Sequence, residues 1–174
     1  MNTKLDMIFK RRSIRSYADK PVSDERVRDL LEAAMAAPSA VAKDPWHFII
    51  VRDANRLKRI AEGLPNGKML GDAAVGIIVC GDTEKAHDQQ LSYLLQDCSA
   101  AIENILLAAS ELGLGACWLG VHPREERVDH LRDMLDIPAG VIPVSAIAVG
   151  WPAETKEPRT RYREDAVHRE TWTG

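Results

Sequence analysis

The stretch SAAIENILLAASELG, residues 99–113, is apolar or small on nearly every side of the helix that it predicts, and this limits how the chain can pack. It forms the second half of the longest predicted helix, residues 88–112, which Gly113 and Gly115 end. A helix of this kind must be covered on most of its sides. Either a partner subunit or the rest of the same chain can supply that cover, and the pattern alone leaves both possibilities open.

Strands are predicted on both sides of this helix, at residues 46–52, 73–80, 116–121 and 141–149. The segment AAVGIIVC at 73–80 is uncharged and rich in β-branched residues, which is typical of a buried strand. Shorter helices are predicted at 3–10 with Thr3 as N-cap, from Ser23 to Pro38, around 57–64 and after Pro123. Because helices and strands alternate, their order alone favours a doubly wound α/β domain. After residue 151 the chain is polar and without periodicity, so we expect either disorder or an arm laid on another surface.

Length and composition point to an ordinary globular protein. The chain has 174 residues, enough for one domain with a buried core, and we take residues 1–174 as that domain. Its net charge of −3 gives no electrostatic reason to expect nucleic acid or an anionic membrane as a partner. Its apolar runs are far too short to span a membrane.

The cysteines and histidines give no sign of a disulfide framework or a metal site. Cys80, Cys98 and Cys117 are odd in number, widely spaced and without a C-x-x-C pair. The five histidines share no ligand spacing. The first residues also lack the apolar core of a signal peptide. We therefore expect no metal and a location in a reducing cytoplasm.

Several motifs of nucleotide-binding proteins and hydrolases can be excluded. Gly113-x-Gly115 has Trp118 where the third glycine of a dinucleotide-binding fingerprint belongs. The segment 63–68 is one residue short of a P-loop. Neither H-E-x-x-H nor G-x-S-x-G occurs. The sequence therefore does not support Rossmann, P-loop, zinc-protease or serine-hydrolase chemistry.

The segment RRSIRSY, residues 11–17, is the first candidate for a binding site. It places three arginines and two hydroxyl groups within six residues, just after a predicted helix. Guanidinium forks and short hydroxyl donors match the charge and the acceptor oxygens of a phosphate monoester. The ordinary alternative is a solvated basic turn.

Three further segments are candidates for contacts with a planar ligand or its phosphate. The loop from Pro38-Ser39-Ala40 to Pro45-Trp46 is bounded by prolines, which can hold a backbone rigid. Gly113 to Gly120 is rich in small residues, which let a backbone approach a flat ring. Arg159-Thr160-Arg161 adds a pair of cations in the tail. Taken singly, each segment is also explained as a connection, a buried strand or a solvated surface.

In order and spacing, these four segments resemble the nitroreductase family, over nearly the whole chain from Met7 to about Trp172. The family has an Arg-Arg-Ser-Ile-Arg-x-Tyr motif, an Ala-Pro-Ser-Ala loop leading to Pro-Trp, and a helix with D-x-x-A-A-x-x-N-x-L-L-A-A. Gly-Leu-Gly-x-x-Trp-x-Gly and Gly-x-Pro-Ala follow. The matching segments here are Arg11–Tyr17, Ala37–Ala40, Pro45–Trp46, Asp97–Ala109, Gly113–Gly120 and Gly150–Ala153.

The resemblance implies an α+β fold, with a mostly antiparallel central sheet wrapped by helices and an extended C-terminal arm. We follow it in preference to the doubly wound domain. It also implies a homodimer with FMN at the subunit interface. NADH or NADPH would reduce FMN and leave, and a small oxidant such as a nitroaromatic or a quinone would then take the electrons in the same pocket. Because the flavin does the chemistry in this ping-pong scheme, we name no side chain as acid or base.

Carried over by position, the resemblance assigns cofactor-binding residues. The phosphate, ribityl chain and pyrimidine edge would contact Arg11, Arg12, Ser13 and Arg15, and the phosphate pocket would be completed by Arg159 and Arg161. The second subunit would supply Pro38, Ser39 and Ala40, and also Trp118, Leu119 and Gly120 against the ring. Lys68 matches a family lysine near the pyrimidine edge, where positive charge stabilises the anionic reduced flavin.

Two residues depart from the family pattern Pro-Ser-x-x-Asn-x-Gln-Pro-Trp. Ala42 replaces the asparagine and removes a polar group, and Asp44 replaces the glutamine and brings a negative charge toward the site. These changes leave the oxidant and the redox tuning open. The alternative functions are a family member that has moved to enone or flavin reduction, and a flavin-binding protein without turnover.

Overall fold

The computed structural model describes residues 2–172, and its centre is a five-stranded sheet. The strands are β1 (Tyr17–Ala18), β2 (Trp46–Val51), β3 (Val75–Asp82), β4 (Gly115–Gly120) and β5 (Val141–Pro152). β5 is the common partner, because it pairs with β3, with β4 and, at its end, with β1. β2 pairs with β3, and every one of these pairings is antiparallel.

This arrangement confirms the α+β class and shows that the doubly wound domain suggested by element order is wrong. Alternation of helices and strands does not determine strand direction, because a connection can return the chain from either end of a strand. β3 is an example: it follows β2 after a helix, yet it runs antiparallel to β2.

Within the described residues, five α-helices surround the sheet, and their bounds are close to those predicted. They are α1 (Asp6–Lys10), α2 (Asp24–Met35), α3 (Ala54–Glu62), α4 (Leu91–Glu111) and α5 (Glu125–Leu135). Ser23 caps α2 as predicted, since its hydroxyl accepts from the backbone N–H of Arg26 at 3.4 Å. The predicted cap Thr3 is wrong: Asn2 accepts from the backbone of Lys4 at 3.0 Å, and a short 3-10 turn precedes α1.

Helices cover both faces of the sheet, so alternate residues of one strand belong to two different core layers. Ile77 of β3 is buried in the layer under α2 and α4, whereas its neighbour Ile78 is buried in the layer under α3 and α5. This double cover explains why β3 is uncharged and buried from Val75 to Gly81 although its pairing is antiparallel.

Helix α4 is covered by its own chain on one side and only partly on another. Ala101, Ile102 and Ile105 are completely buried, whereas Leu107 and Ala108 are only half-buried. Helix α2 provides part of the cover, and the Asn104 amide donates to the Ala33 carbonyl at 2.9 Å. One chain therefore accounts for most, but not all, of the apolar surface that the sequence places here.

The tail beyond β5 is an arm laid on the N-terminal segment of the same chain, at least as far as Arg159. The backbone N–H of Ala153 donates to the Ser16 carbonyl at 2.9 Å, and that of Arg159 donates to the Phe9 carbonyl at 3.2 Å. The Arg12 side chain adds a hydrogen bond to the Glu157 carbonyl. These contacts favour the arm over the alternative of a disordered tail.

Candidate functional site

The basic segment 11–16 is fixed against the edge of β4. The backbone N–H of Ile14 donates to the Ala116 carbonyl at 3.0 Å, and Ser13 forms a bridge with Ala116. Gly115 permits this approach, because a Cβ there would lie only 2.6 Å from Cγ2 of Ile14. At Gly115 the small residue therefore makes room for Ile14 of the same chain.

Tyr17 fastens the same segment to the sheet from the other side. Its hydroxyl lies 2.7 Å from the Ile14 carbonyl oxygen and 3.2 Å from that of Ala148. Burial raises the pKa of Tyr17 well above its ordinary value, so the hydroxyl stays protonated and can donate. These contacts hold the basic segment against the sheet.

The tail reaches the basic segment through Glu154 and Lys156. The Glu154 carboxylate accepts from the backbone N–H of Arg15 at 2.6 Å, and the Lys156 ammonium lies 3.0 Å from the same oxygen. Lys156 also donates to the Ser13 carbonyl at 2.7 Å. The hydrogen bond from the Arg15 backbone, followed by that from Lys156, lowers the pKa of Glu154, so the carboxylate stays charged.

A cavity of about 590 Å³, called here the arginine cavity, lies between the basic segment and the tail. Its lining contains six cationic side chains, a serine and a threonine: Ile8, Phe9, Arg11, Arg12, Ser13, Arg15, Lys156, Arg159, Thr160 and Arg161. The pKa of Arg159 is lowered by the nearby charges of Arg161 and Arg12. Like charges crowded in this way favour the binding of an anion with more than one negative charge.

This cavity brings together the four residues that the resemblance assigns to the phosphate, ribityl chain and pyrimidine edge and the two that it assigns to the phosphate pocket: Arg11, Arg12, Ser13, Arg15, Arg159 and Arg161. Lys156 and Thr160 also line it, and the sequence did not single them out. An isolated lysine between two glutamates carries no signal along the chain. Its place in the cavity follows from the long-range contact with Ser13.

A second cavity of about 240 Å³, called here the Trp118 cavity, shares Arg15 with the arginine cavity. Its lining is Arg15, Leu64, Asn66, Gly67, Cys117, Trp118, Leu119, Gly120 and Arg127. Trp118 is 37% exposed, so part of its indole surface is open to a ligand. We expected Trp118, Leu119 and Gly120 to come from a second subunit, but the structure places them beside Arg15 within one chain, because β4 carries both Ala116 and Trp118.

Pro38, Ser39 and Ala40 lie elsewhere, and neither of these two cavities includes them in its lining. The Ser39 hydroxyl donates to the Asp44 carboxylate at 2.6 Å and accepts from the backbone N–H of Asp44 at 3.0 Å. The backbone N–H of Ala40 donates to the buried Asp97 at 2.9 Å. The loop is thus tied to itself and to α4, and it does not reach the arginine cavity of its own chain.

Lys68 also lies apart from the other residues that the resemblance assigns to the cofactor. It lines a shallow groove of about 300 Å³ with the carboxylates of Glu62 and Asp72. This groove shares only Leu64 with the cavity of Arg15 and Trp118.

Other kinds of site find little support in the part of the chain that the structure describes. Among residues 2–172, no group of three or more His, Cys, Asp or Glu side chains could hold a metal ion. Within the same residues, no helix has the length and apolarity needed to cross a membrane. The three cysteines are free and buried, and burial raises the pKa of Cys80 and Cys98 to about 12, so their thiols stay protonated.

The chain is similar to known proteins in sequence and in structure. The family model described as the nitroreductase family matches residues 8–151. A relative from Archaeoglobus fulgidus, named as an NADH dehydrogenase/NAD(P)H nitroreductase, is 47% identical over 99% of this chain and 100% of its own length.

Two solved structures are similar along the whole chain. That of an NADH dehydrogenase/NAD(P)H nitroreductase from Parabacteroides distasonis has a TM-score of 0.92 and 41% identity, and the match covers 99% of this chain and 100% of that one. That of a nitroreductase in complex with FMN from Desulfovibrio desulfuricans has a TM-score of 0.84 and 35% identity, and covers 99% of each chain.

Proposed function

Since this chain belongs to the nitroreductase family, we propose that it is an FMN-dependent oxidoreductase that accepts electrons from NADH or NADPH and passes them to a small oxidant. Relatives carry names with NAD(P)H nitroreductase and with FMN reductase, and a similar solved structure contains FMN. We infer further that the whole chain works as one flavin-binding domain.

One observation carries this proposal: the arginine cavity and the Trp118 cavity share Arg15 in their linings. FMN has a dianionic phosphate at one end, a planar ring at the other and a flexible ribityl chain between them. The larger cavity offers guanidinium and hydroxyl donors for the phosphate. The smaller cavity offers an indole face and the backbone of Gly120 for the ring, so the residues present fit the cofactor.

Within this arrangement each group has a distinct task. Arg12, Arg159 and Arg161 bind the phosphate, and Lys156 joins them from the tail. Arg15 lies between the phosphate end and the ring end. FMN, when bound, supplies the hydride-accepting and electron-donating chemistry, and the protein supplies position and charge. No side chain is needed as a general acid or base.

We also propose that the site is completed by a second copy of the chain. Helix α4 leaves Leu107 and Ala108 half-buried, and the tail exposes 67% of Tyr162 and 82% of Trp172. Apolar side chains left open to solvent in this way favour a partner. In a homodimer with flavin at the interface, the cavity of one subunit would be reached by Pro38, Ser39 and Ala40 of the other. This would account for the absence of these residues from the cavities of their own chain.

The reaction order that fits one shared pocket is ping-pong. The nicotinamide donor binds, gives up its hydride and leaves, and an oxidant such as a nitroaromatic or a quinone then occupies the same space. Asp44 and Ala42, which replace the usual glutamine and asparagine, bear on the choice of oxidant. Enone or flavin reduction is the alternative within this chemistry, and a flavin-binding protein without turnover is the alternative outside it.

The test begins with the purified protein. It should be yellow and should release FMN, not FAD, on denaturation, and NADH or NADPH should bleach it rapidly in stopped flow. A panel of nitroaromatics, quinones, enones and free flavin then identifies the oxidant. Colourless protein that also fails to take up added FMN would refute the proposal, and yellow protein that neither nicotinamide bleaches would leave flavin binding without catalysis.

A further inference from the structure

A third cavity, of about 490 Å³, lies between the loop 38–44 and the segment 84–89 that follows β3. Val41 and Lys43 line it from the loop, and residues 84–89 line it from the segment, so it is called here the Lys43 cavity. Within the described residues it shares no lining residue with the arginine cavity or the Trp118 cavity. The proposed flavin site therefore leaves this cavity without a ligand.

Both segments that form the Lys43 cavity have an unusual backbone conformation. Val41 has a φ of 51°, and on the other segment Asp88 and Gln89 have φ values of 49° and 54°. Residues with a side chain seldom adopt this left-handed region, and such strain concentrates at functional sites. Strain on both segments therefore favours a functional role for the cavity between them.

The lining contains charged groups that the protein itself leaves available. Lys43 and Glu84 are exposed, and neither forms an ion pair within residues 2–172. Lys85 is loosely held, since its ammonium lies 3.7 Å from the Asp82 carboxylate. The second carboxylate of the lining, Asp88, already lies 3.4 Å from an imidazole. A ligand in this cavity can therefore meet two ammonium groups and one unpaired carboxylate.

This combination of charges selects a class of ligand. Ammonium groups attract a diphosphate as compact point charges. An unpaired carboxylate accepts hydrogen bonds from the hydroxyl groups of a ribose, as acidic residues do in sites that bind NAD. The adenylate half of a nicotinamide dinucleotide carries both a diphosphate and a ribose diol. In NADPH a 2′-phosphate replaces one of these hydroxyls, and the charges of Glu84 and Asp88 would repel it.

The loop also places the Lys43 cavity beside the proposed flavin contact. The backbone N–H of Lys43 donates to the Ala40 carbonyl at 3.2 Å, so the lining residues of the loop lie within one turn of Ala40. In the proposed homodimer, Pro38 to Ala40 lie against the flavin of the other subunit. A nicotinamide on that ring would then have its adenylate half close to this cavity.

We propose that the Lys43 cavity binds the adenylate half of the electron donor, and that Glu84 makes NADH the preferred donor over NADPH. This inference rests on the proposed function. Lys43 and Lys85 bind the diphosphate, and Glu84 accepts from the ribose of the adenosine. These residues determine affinity and donor choice, and they take no part in the hydride transfer.

The first test uses the unmodified holoprotein and fragments of the donor. ADP-ribose, which lacks the nicotinamide, and its 2′-phosphorylated form are titrated in a calorimeter. ADP-ribose should bind about tenfold more tightly, because the added phosphate brings negative charge toward two carboxylates. In stopped flow, NADH should reduce the flavin with a higher kcat/KM than reduced nicotinamide mononucleotide, which has no adenylate half. Absence of ADP-ribose binding, or binding of the phosphorylated form that is as tight or tighter, would overturn the proposal.

Three variants assign the effects to particular side chains: Lys43→Gln, Glu84→Lys and, as a control, Lys58→Gln. Lys58 is exposed on α3 and lies outside the Lys43 cavity. Thermal unfolding of each variant checks that the fold is intact. Lys58→Gln should match the unmodified protein in every binding and kinetic measurement.

Lys43→Gln should raise the Kd of ADP-ribose about 3- to 10-fold, the modest effect of a contact exposed to solvent. It should also impair reduction by NADH more than reduction by the mononucleotide. Glu84→Lys should raise the ratio of kcat/KM for NADPH to that for NADH by about 10-fold or more, because a repulsive charge becomes an attractive one. An unchanged Kd in Lys43→Gln together with an unchanged donor ratio in Glu84→Lys would refute the assignment.

The proposed function and the Lys43 cavity fail in different ways. Binding of ADP-ribose to a protein whose flavin neither nicotinamide reduces would refute the proposed function. Rapid reduction by NADH or NADPH without binding of ADP-ribose would overturn the Lys43 cavity as a donor site and leave the proposed function in place.

Discussion

The arginine cavity and the loop 38–44 were both predicted as cofactor contacts, yet the structure treats them differently. The cavity is closed by two segments of one chain far apart in sequence, joined through the contacts of Lys156 with Ser13 and of Arg12 with Glu157. The loop makes contacts to itself and to Asp97, and stays away from that cavity. The cavity is therefore lined by distant segments of one chain, whereas the loop 38–44 takes no part in lining it.

Backbone conformation sharpens this difference. Val41, Ala42 and Asp44 have φ values of 51°, 53° and 47°, in the left-handed region that residues with a side chain seldom adopt. For the β-branched Val41, which is 69% exposed, this conformation is unusual. Strain of this kind persists only where surrounding contacts hold it, and it concentrates at functional sites.

The largest expected effect concerns α4, where the two sides of one helix can be compared. Ala101→Glu should abolish folding, because Ala101 is completely buried in the core and an unpaired charge there costs several kcal/mol. Ala108→Glu lies on the half-buried side, so the subunit should fold but lose both the partner and the bound FMN. Circular dichroism, light scattering and flavin absorbance distinguish the two. A folded Ala108→Glu monomer that keeps FMN would refute the shared site.

Arg12→Ala tests the arginine cavity. Loss of a charge-assisted contact with the phosphate should cost about 1.5–3 kcal/mol, or about 10- to 100-fold in FMN affinity. Riboflavin, which has no phosphate, should bind the unmodified protein poorly and be nearly indifferent to the change. Equal weakening of both flavins would instead show that Arg12 acts structurally, through its hydrogen bond to the Glu157 carbonyl.

Asp97→Ala tests the loop. It removes the acceptor for the backbone N–H of Ala40 and should lower the free energy of unfolding by about 1–3 kcal/mol in urea titrations. Asp97→Asn is the control, because its amide oxygen can still accept. If the loop contacts the ring of the other subunit, Asp97→Ala weakens FMN and riboflavin alike, the opposite of the pattern for Arg12→Ala. Unchanged affinity for both flavins would separate the loop from the site.

The smallest expected effect is that of Asp44→Asn. The side chain is exposed and asparagine keeps both the acceptor for Ser39 and the tolerance of positive φ, so stability should hardly change. If the loop reaches the pocket of a second subunit, removal of this negative charge should raise kcat/KM for 4-nitrobenzoate relative to neutral 4-nitrobenzyl alcohol by about 5-fold or less. An unchanged ratio would place Asp44 too far from the oxidant to influence it.

The sequence predicted the helices and four of the five strands to within a few residues, because apolar periodicity and caps such as Ser23 are local signals. It did not predict the two-residue strand β1. Through the order of its motifs it also indicated the family, and with it the antiparallel sheet. Gly115 shows the limit of such local evidence: the sequence marks a small residue, but only the fold shows that Ile14 occupies the space beside it.

Only the tertiary structure shows which charged side chains lie close together in the arginine and Trp118 cavities. These two cavities are lined in part by Lys156, Asn66 and Arg127, although nothing in their neighbours along the chain sets them apart. Lys68, which matched a family lysine by position, lies in a separate groove. The physical reason is that a cavity is formed by segments distant in sequence. Burial and pairing depend on what the fold brings near, and no local pattern of residues encodes that.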